Sequence, residues 1–201
     1  MDEAAAIRAY QRGDAHAFDT LFELHAAHVY RTSYLIVRDA ARAEDVAQET
    51  FLILAQRLPG LAPAPLRSWL GRVAANLSLN DRRRAQAVPL ETLPPVQHAA
   101  LEHRDAVAGP EAALEEAEAR AYLRAAVAAL APRQRAMVVL RYYDDCSLEE
   151  IGVALGCRPG TVRATLHQAL RRLRDRGVPD GVDETALSMN RDDGGIAHDE
   201  G

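Results

Sequence analysis

SLEEIGVALGCRPGTVRATLHQALRRLR, residues 147–174, holds the clearest local grammar in the chain. Ser147 followed three residues later by Glu150 is a capping box: the hydroxyl accepts from the first turn and the carboxylate reaches back to the cap. Ile151, Ala154 and Leu155 make the buried side of a short helix, and Gly156 is suited to end it in a left-handed turn. Pro159 suits the first turn of the next helix, where its missing N–H costs nothing. Val162, Leu166, Ala169, Leu170 and Leu173 then form a helical stripe that stops before Gly177. A short helix, a tight glycine turn and a longer basic amphipathic helix make a helix-turn-helix.

With Val162 and Leu166 turned inward at about 100° per residue, Arg163, Ala164, His167, Gln168 and Arg171 point outward, and Arg158 and Thr161 sit at the helix entry. Polar side chains of these types donate to base edges and phosphates, and a major groove admits one helix, N-terminal end first. Arg172, Arg174 and Arg176 are expected to contact phosphates, which position a protein rather than specify a sequence. An Arg-rich solvated face looks the same in isolation. The capping box, glycine turn and proline entry tip the reading toward DNA.

Upstream of this unit the chain reads as further helices. One is expected from Pro110 to about Leu130, with Glu111, Glu115 and Glu116 near its positive end, and another from Pro132 to about Tyr142. The prolines at 89, 94 and 95 and the lack of any period mark residues 85–109 as a linker, with at most a helical turn near His98–Asp105. Before it lie four helices able to enclose one small core. Asp2 caps the first, which stops at Gly13. Asp14 caps the second, which runs to about Arg38 with Phe18, Leu21, Phe22, Val29, Tyr30, Tyr34 and Val37 as its stripe. The third spans roughly Ala40 to Leu58 on Val46, Ala47, Thr50, Phe51, Leu54 and Leu58. After the proline-rich loop 59–65, the fourth runs from Leu66 to about Arg84 on Leu66, Leu70, Ala74 and Leu77.

The formal charge of −5 argues at first against nucleic acid. Its distribution reverses that inference. Arg82 to Arg84 form one basic run, and Arg158, Arg163, Arg171, Arg172, Arg174 and Arg176 form a second. After Gly177, seven acidic residues stand against Arg191 alone, so an acidic tail masks local basic patches in the total. Every basic residue is Arg, the side chain that forks onto phosphates and guanine edges. The two cysteines, Cys146 and Cys157, form no CxxC pair and are expected to be free thiols in a reducing cytosol. The N-terminus is polar and acidic, unlike a signal peptide, and no apolar run approaches the roughly 18 residues of a membrane helix. No Walker A loop, GxGxxG or HExxH is present, so no catalytic residue, metal site or cofactor is expected. His25 and His28 share a helix at a metal-pair spacing, yet no third ligand completes a site, and they read as helix-surface histidines.

Two further surfaces stand out. Trp69, Arg72, Asn76, Asn80 and Arg83 fall on one strip of the fourth helix, beside its buried face. An aromatic among Arg and Asn suits melted DNA, whose exposed bases can stack; an ordinary domain-edge tryptophan is the plainer alternative. On the third helix Glu44, Asp45, Gln48 and Glu49 cluster at i, i+3 and i+4 spacing. That ridge is either a solvated face or a dock for a basic protein partner.

AEDVAQETFLILAQRL at residues 43–58 and RSWLGRVAANLSLNDRRR at residues 67–84 resemble the σ2 domain of bacterial σ factors. LAPRQRAMVVLRYYDDCSLEEIGVALGCRPGTVRATLHQALRRLR at residues 130–174 resembles the σ4 domain. Order, spacing and linker length are those of the extracytoplasmic-function σ family. The resemblance implies an all-α chain: a σ2 helical bundle at 1–85, a flexible linker at 86–109, a σ4 helix-turn-helix domain at 110–177 and a disordered acidic tail at 178–201. It implies that the ridge of Glu44, Asp45, Gln48 and Glu49 docks on the β′ coiled coil of core RNA polymerase and that σ4 engages the β-flap. The proline-rich loop after Leu58 and the Trp69–Arg84 helix would melt the −10 element and hold its non-template strand, and the Arg158–Arg171 stretch would read the −35 duplex. An anti-σ factor is the further expected partner, promoter DNA the ligand and the cytoplasm the compartment. The sequence departs from the family at Arg158, where a small capping residue is usual, and at Ala164 and Thr165, where Ser-Arg is common. A stand-alone helix-turn-helix regulator is the alternative; it would need neither the acidic ridge nor the Trp69 strip.

Overall fold

The computed structural model describes residues 2–61, 66–87 and 121–178, without the side chains of 81–87. These residues form helices and turns, with no strand among them. The elements are α1 (Glu3–Gln11), α2 (Ala17–Val37), α3 (Ala40–Arg57), a 3₁₀ turn (Leu58–Gly60), α4 (Leu66–Ala87), α5 (described over 121–128), α6 (Pro132–Tyr142), α7 (Leu148–Leu155) and α8 (Pro159–Arg174). The proline linker beyond residue 87, the helix start at Pro110 and the acidic tail beyond Val178 lie outside the described residues.

Local chemistry explains where the helices begin. Asp2 accepts from Ala5 N at 2.6 Å and caps α1, and Asp39 accepts from Arg42 N at 2.9 Å and caps α3. The expected cap at Asp14 is displaced. Asp14 Oδ1 accepts from His16 N at 3.1 Å, closing a turn just before the helix, and α2 starts at Ala17 with no side-chain cap on His16. Past Val37 the chain breaks at Arg38, which is left-handed with φ 64. α4 runs three residues beyond the expected Arg84, to Ala87.

Two cores form. The first joins Ile7, Leu21, Val29, Val46, Leu54, Leu58, Leu66 and Leu70, each at or near zero exposure. A fully buried aliphatic side chain of this kind contributes about 1.5–3 kcal/mol. The second joins α5–α8 through Val127, Met137, Leu140, Ile151, Val162 and Leu166, and it also takes in Ile36 of α2 and Ala75 of α4. The two helical domains therefore share packing. α6 lies on α2 and α4, and α7 lies on α4.

The reading of His25 and His28 as surface residues is overturned: both are buried, at 8% and 6% exposure. His25 Nε2 donates to Glu3 Oε2 at 2.6 Å, while Glu3 Oε1 accepts from Leu66 N at 3.2 Å. One carboxylate thus anchors α2 to α1 and meets the positive start of α4. Burial holds His25 below the usual imidazole value, against an upward pull from Glu3. His28 lies under α6 and stacks on Tyr143 with ring centroids 5.4 Å apart.

Candidate nucleic-acid interface

The helix-turn-helix forms as its sequence predicts. Ser147 Oγ accepts from Glu150 N at 3.1 Å, and Glu150 Oε2 accepts from Ser147 N at 2.9 Å. These bonds, led by the one from Ser147 N, hold the Glu150 carboxyl below its ordinary value. Gly156 ends α7 at φ 61, ψ 47, and Cys157 N returns to Gly152 O at 2.9 Å. Gly152 was not singled out by pattern, yet the turn needs it: a Cβ there would stand 2.7 Å from Cys157 O. Arg133 Nη2 donates to Leu155 O at 2.6 Å and satisfies the C-terminal end of α7.

On α8, Val162, Leu166, Ala169 and Leu173 are buried, and Leu170 is half-buried. Arg158, Thr161, Arg163, Ala164, His167, Gln168 and Arg171 are all exposed. The backbone at Arg158 is extended and lacks a side-chain cap, with Pro159 opening the helix. Arg172, expected on phosphate, instead donates to Gln134 Oε1 at 2.6 Å and braces α8 on α6.

The α4 strip is divided. Trp69 and Asn76 line an open groove of about 650 Å³ between α3, the 3₁₀ turn and α4, with Gln56 and Arg57 opposite and Ile53 and Val73 as apolar wall. Asn80 Nδ2 donates to Asn76 Oδ1 at 3.2 Å, which orients that amide. The groove's far wall is fixed by Gln11 of α1, whose Nε2 donates to Leu58 O and Leu61 O, each at 3.0 Å. No periodicity signalled that contact, because it joins residues some fifty positions apart. Arg72 leaves the strip and pairs with Glu150 of α7. Arg83 lies on α4 beyond the described side chains.

On α3, Asp45, Gln48 and Glu49 are exposed and Glu44 is half-buried. Leu52, one turn on, is 64% exposed and gives the ridge an apolar end. Cys146 is buried, and its thiol is pushed up to about 12, by burial first and by Asp144 second. Cys157 is half-buried.

The family of σ70 region 2 matches residues 21–88, and that of σ70 region 4 matches residues 120–173. The RNA polymerase σ-E factor of Streptomyces antibioticus is 33% identical over 181 residues, 88% of this chain and 93% of that protein. The chain belongs to the extracytoplasmic-function σ factors. SigL of Mycobacterium tuberculosis, of that family, is 32% identical over 80% of this chain and 89% of its own length. SigE of Mycolicibacterium smegmatis is 36% identical over 163 residues, which span 79% of this chain and 61% of that longer protein. The solved σ factor RpoE of Bartonella quintana, in complex with the anti-sigma factor NepR, shares the fold at a TM-score of 0.56 and 18% identity. That match covers 81% of this chain and 97% of the other. This σ factor is accordingly a transcription-initiation factor and not an enzyme. No helix among its described residues is long and apolar enough to cross a membrane.

Proposed function

We propose that this σ factor reads its promoter in two places with two kinds of chemistry. The exposed α8 face enters the major groove of the −35 element. Arg158, Thr161, Arg163, Ala164, His167, Gln168 and Arg171 meet base edges and backbone, with Arg163 and His167 as the main donors. The groove under α4 takes an unstacked base of the −10 non-template strand. Trp69 offers a stacking face and Asn76, held by Asn80, offers amide donors and acceptors, while Arg72 and Arg83 follow the backbone. Glu44, Asp45, Gln48 and Glu49 dock the σ2 domain, residues 1–85, on a basic face of core RNA polymerase at the β′ coiled coil. The σ4 domain, residues 110–177, engages the β-flap. The chain works in the cytoplasm.

The observation that carries this reading is an open helix-turn-helix face joined in one chain to an open aromatic–amide groove with room for an unstacked base. Duplex reading alone would not require the second. An anti-σ factor that covers these surfaces is the proposed regulatory partner; two fold neighbours, CnrH and RpoE, were solved with the cytosolic domain of CnrY and with NepR.

The test is permanganate footprinting of −10 thymines in complexes with core polymerase. Trp69→Ala with Asn76→Ala should shorten the lifetime of the melted complex by about 10–100-fold, the loss of one base stack. Protection of the −35 duplex should be unchanged. Undiminished melting by that variant would remove the groove from the mechanism.

A further inference from the structure

α8 carries cations without a carboxylate of its own. Arg163, Arg171, Arg172 and Arg174 lie within it, Arg158 stands before it and Arg176 after it. Between Glu150 and Asp180 the sequence holds one acidic residue, Asp175, at the end of the helix. Arg158, Arg163, Arg171 and Arg176 are exposed, and among the described residues none of the four has an ion-pair partner. The chain leaves this helix in a fixed way. Gly177 is left-handed at φ 84, and its N–H donates to Arg174 O at 2.7 Å, while Val178 N–H donates to Leu173 O at 3.1 Å. The two bonds make a Schellman closure. It seats Val178, which is 8% exposed, in the second core with Leu173. The chain is thus folded back against the last turn of α8, and whatever follows Val178 starts at the arginine-bearing end of the helix.

We infer that residues 179–201 lie back along α8 as an intramolecular stand-in for DNA, with their carboxylates on Arg158, Arg163 and Arg171, and that duplex must displace them. The inference rests on the duplex-reading role proposed above for α8. Those 23 residues carry Asp180, Asp183, Glu184, Asp192, Asp193, Asp199 and Glu200 against Arg191 alone. Opposite charge is therefore concentrated on the segment that emerges beside the arginines. Reach is sufficient. α8 is about 24 Å long at 1.5 Å per residue, and about eight extended residues at roughly 3.3 Å each cover that length. Asp183 and Glu184 come level with Arg171, and Asp192 and Asp193 extend as far as Arg158 with chain to spare. Attachment at Val178 supplies an effective concentration on the order of millimolar, so contacts that are weak between separate molecules become populated. The negative end of the helix dipole works against the nearest carboxylates, but it amounts to about half a charge, against arginines at 171, 174 and 176. A covered face weakens every duplex complex by the fraction of time it is covered. The contact is ionic and exposed, so salt loosens it.

The test follows the acidic segment on the full chain. A nitroxide is attached at Ser188→Cys, with Cys157→Ser and the buried Cys146 left in place. It should broaden the backbone amide signals of Arg163, His167, Gln168 and Arg171 and spare exposed N-terminal positions such as Arg8 and Glu23. Neutralising the seven carboxylates (Asp180→Asn, Asp183→Asn, Glu184→Gln, Asp192→Asn, Asp193→Asn, Asp199→Asn and Glu200→Gln) should abolish the broadening. Anisotropy with a fluorescein-labelled mixed-sequence DNA duplex supplies the second readout. At about 50 mM salt the neutralised chain should bind about tenfold more tightly than wild type, the factor for a face covered nine-tenths of the time. Its affinity should also fall more steeply as salt rises, because in wild type salt loosens the acidic segment as well as the duplex and the two effects oppose. No broadening on α8, or equal broadening of Arg8 and Glu23, would overturn the seating. Broadening passed from a nitroxide-bearing copy to a separate isotope-enriched copy would assign the contact to a neighbouring chain and overturn the intramolecular one. Selective broadening with equal duplex affinity of the two chains would overturn displacement by DNA. Selective broadening with no duplex bound by either chain would overturn the duplex-reading role of α8, and the stand-in role with it, while the seating stood.

Discussion

Replacing Gly152 with alanine separates two opposing effects whose sum can be worked from the structure. Gly152 lies inside α7, where exchanging glycine for alanine ordinarily stabilises by about 1 kcal/mol. Here the new Cβ would stand 2.7 Å from Cys157 O, a backbone atom of the turn. Relief by drawing the chains apart is opposed by the 2.9 Å bond from Cys157 N to Gly152 O, which ties the same two residues. Overpacking against well-placed atoms costs about 1–3 kcal/mol, so with the gain of about 1 kcal/mol subtracted the expected balance is a loss centred near 1 kcal/mol and reaching about 2 kcal/mol. For a domain of this size, that lowers Tm by roughly 4–8 °C per kcal/mol. Gly160→Ala is the internal control, because nothing lies within 4 Å of its added methyl; it should hold or slightly raise Tm. Gly156→Ala should cost about 1–2 kcal/mol of stability through its left-handed backbone alone. The assay is thermal unfolding by circular dichroism, with −35 duplex affinity on the same samples. A Gly152→Ala chain as stable as wild type would refute the claim that this close approach sets the helix-turn-helix angle.

Other expectations are independent of the turn. Arg163→Ala with His167→Ala should weaken −35 duplex binding by about 1–3 kcal/mol per lost base contact and leave core polymerase affinity intact, as read by anisotropy. Charge reversal at Asp45 and Glu49 should do the opposite, weakening pull-down by core polymerase at least tenfold and more so at low salt. His25, held low by burial, makes stability depend on pH. As pH falls below about 6.5, the unfolded chain takes up the proton first. The N-terminal domain is then at full strength above that value and loses stability as pH drops through the depressed folded value. His25→Gln should flatten that part of a denaturant-midpoint profile against pH. Iodoacetamide at pH 8 should modify Cys157 and spare Cys146, whose thiol is pushed up to about 12; equal labelling by mass spectrometry would contradict its burial.

What the sequence made legible was local. The capping box at Ser147, the left-handed Gly156 and the proline entry at Pro159 are decided by neighbours within four residues, and each formed as read. The α8 face followed from helical period alone. Apart from the displaced cap at Asp14, whose partner is two residues away, the misses involve partners far along the chain. His25 and His28 looked like surface residues because helix spacing sees only their own helix, whereas their carboxylates come from Glu3 and from Asp144, on another domain. Arg72 fits the α4 strip by period, and its pairing with Glu150 of α7 carried no signal in the sequence. Arg172 was expected on phosphate and found Gln134. Gly71 and Gly152 carried no signal, since what makes each of them necessary is an atom that approaches from outside its own helix, Asp144 Oδ2 for the first and Cys157 O for the second. The strip and the ridge were visible as residue sets, but the groove between α3 and α4 existed only once Gln11 had pinned its far wall.

Every role assigned to these surfaces requires that this chain direct polymerase to promoters. Run-off transcription with purified core RNA polymerase on promoter-bearing fragments tests it most directly. Transcripts with defined starts should form only when the chain is added and should fail with the Arg163→Ala, His167→Ala double variant. No transcript and no association with core polymerase, alongside tight sequence-specific binding to duplex DNA by the chain alone, would contradict the account and leave a stand-alone helix-turn-helix regulator in its place.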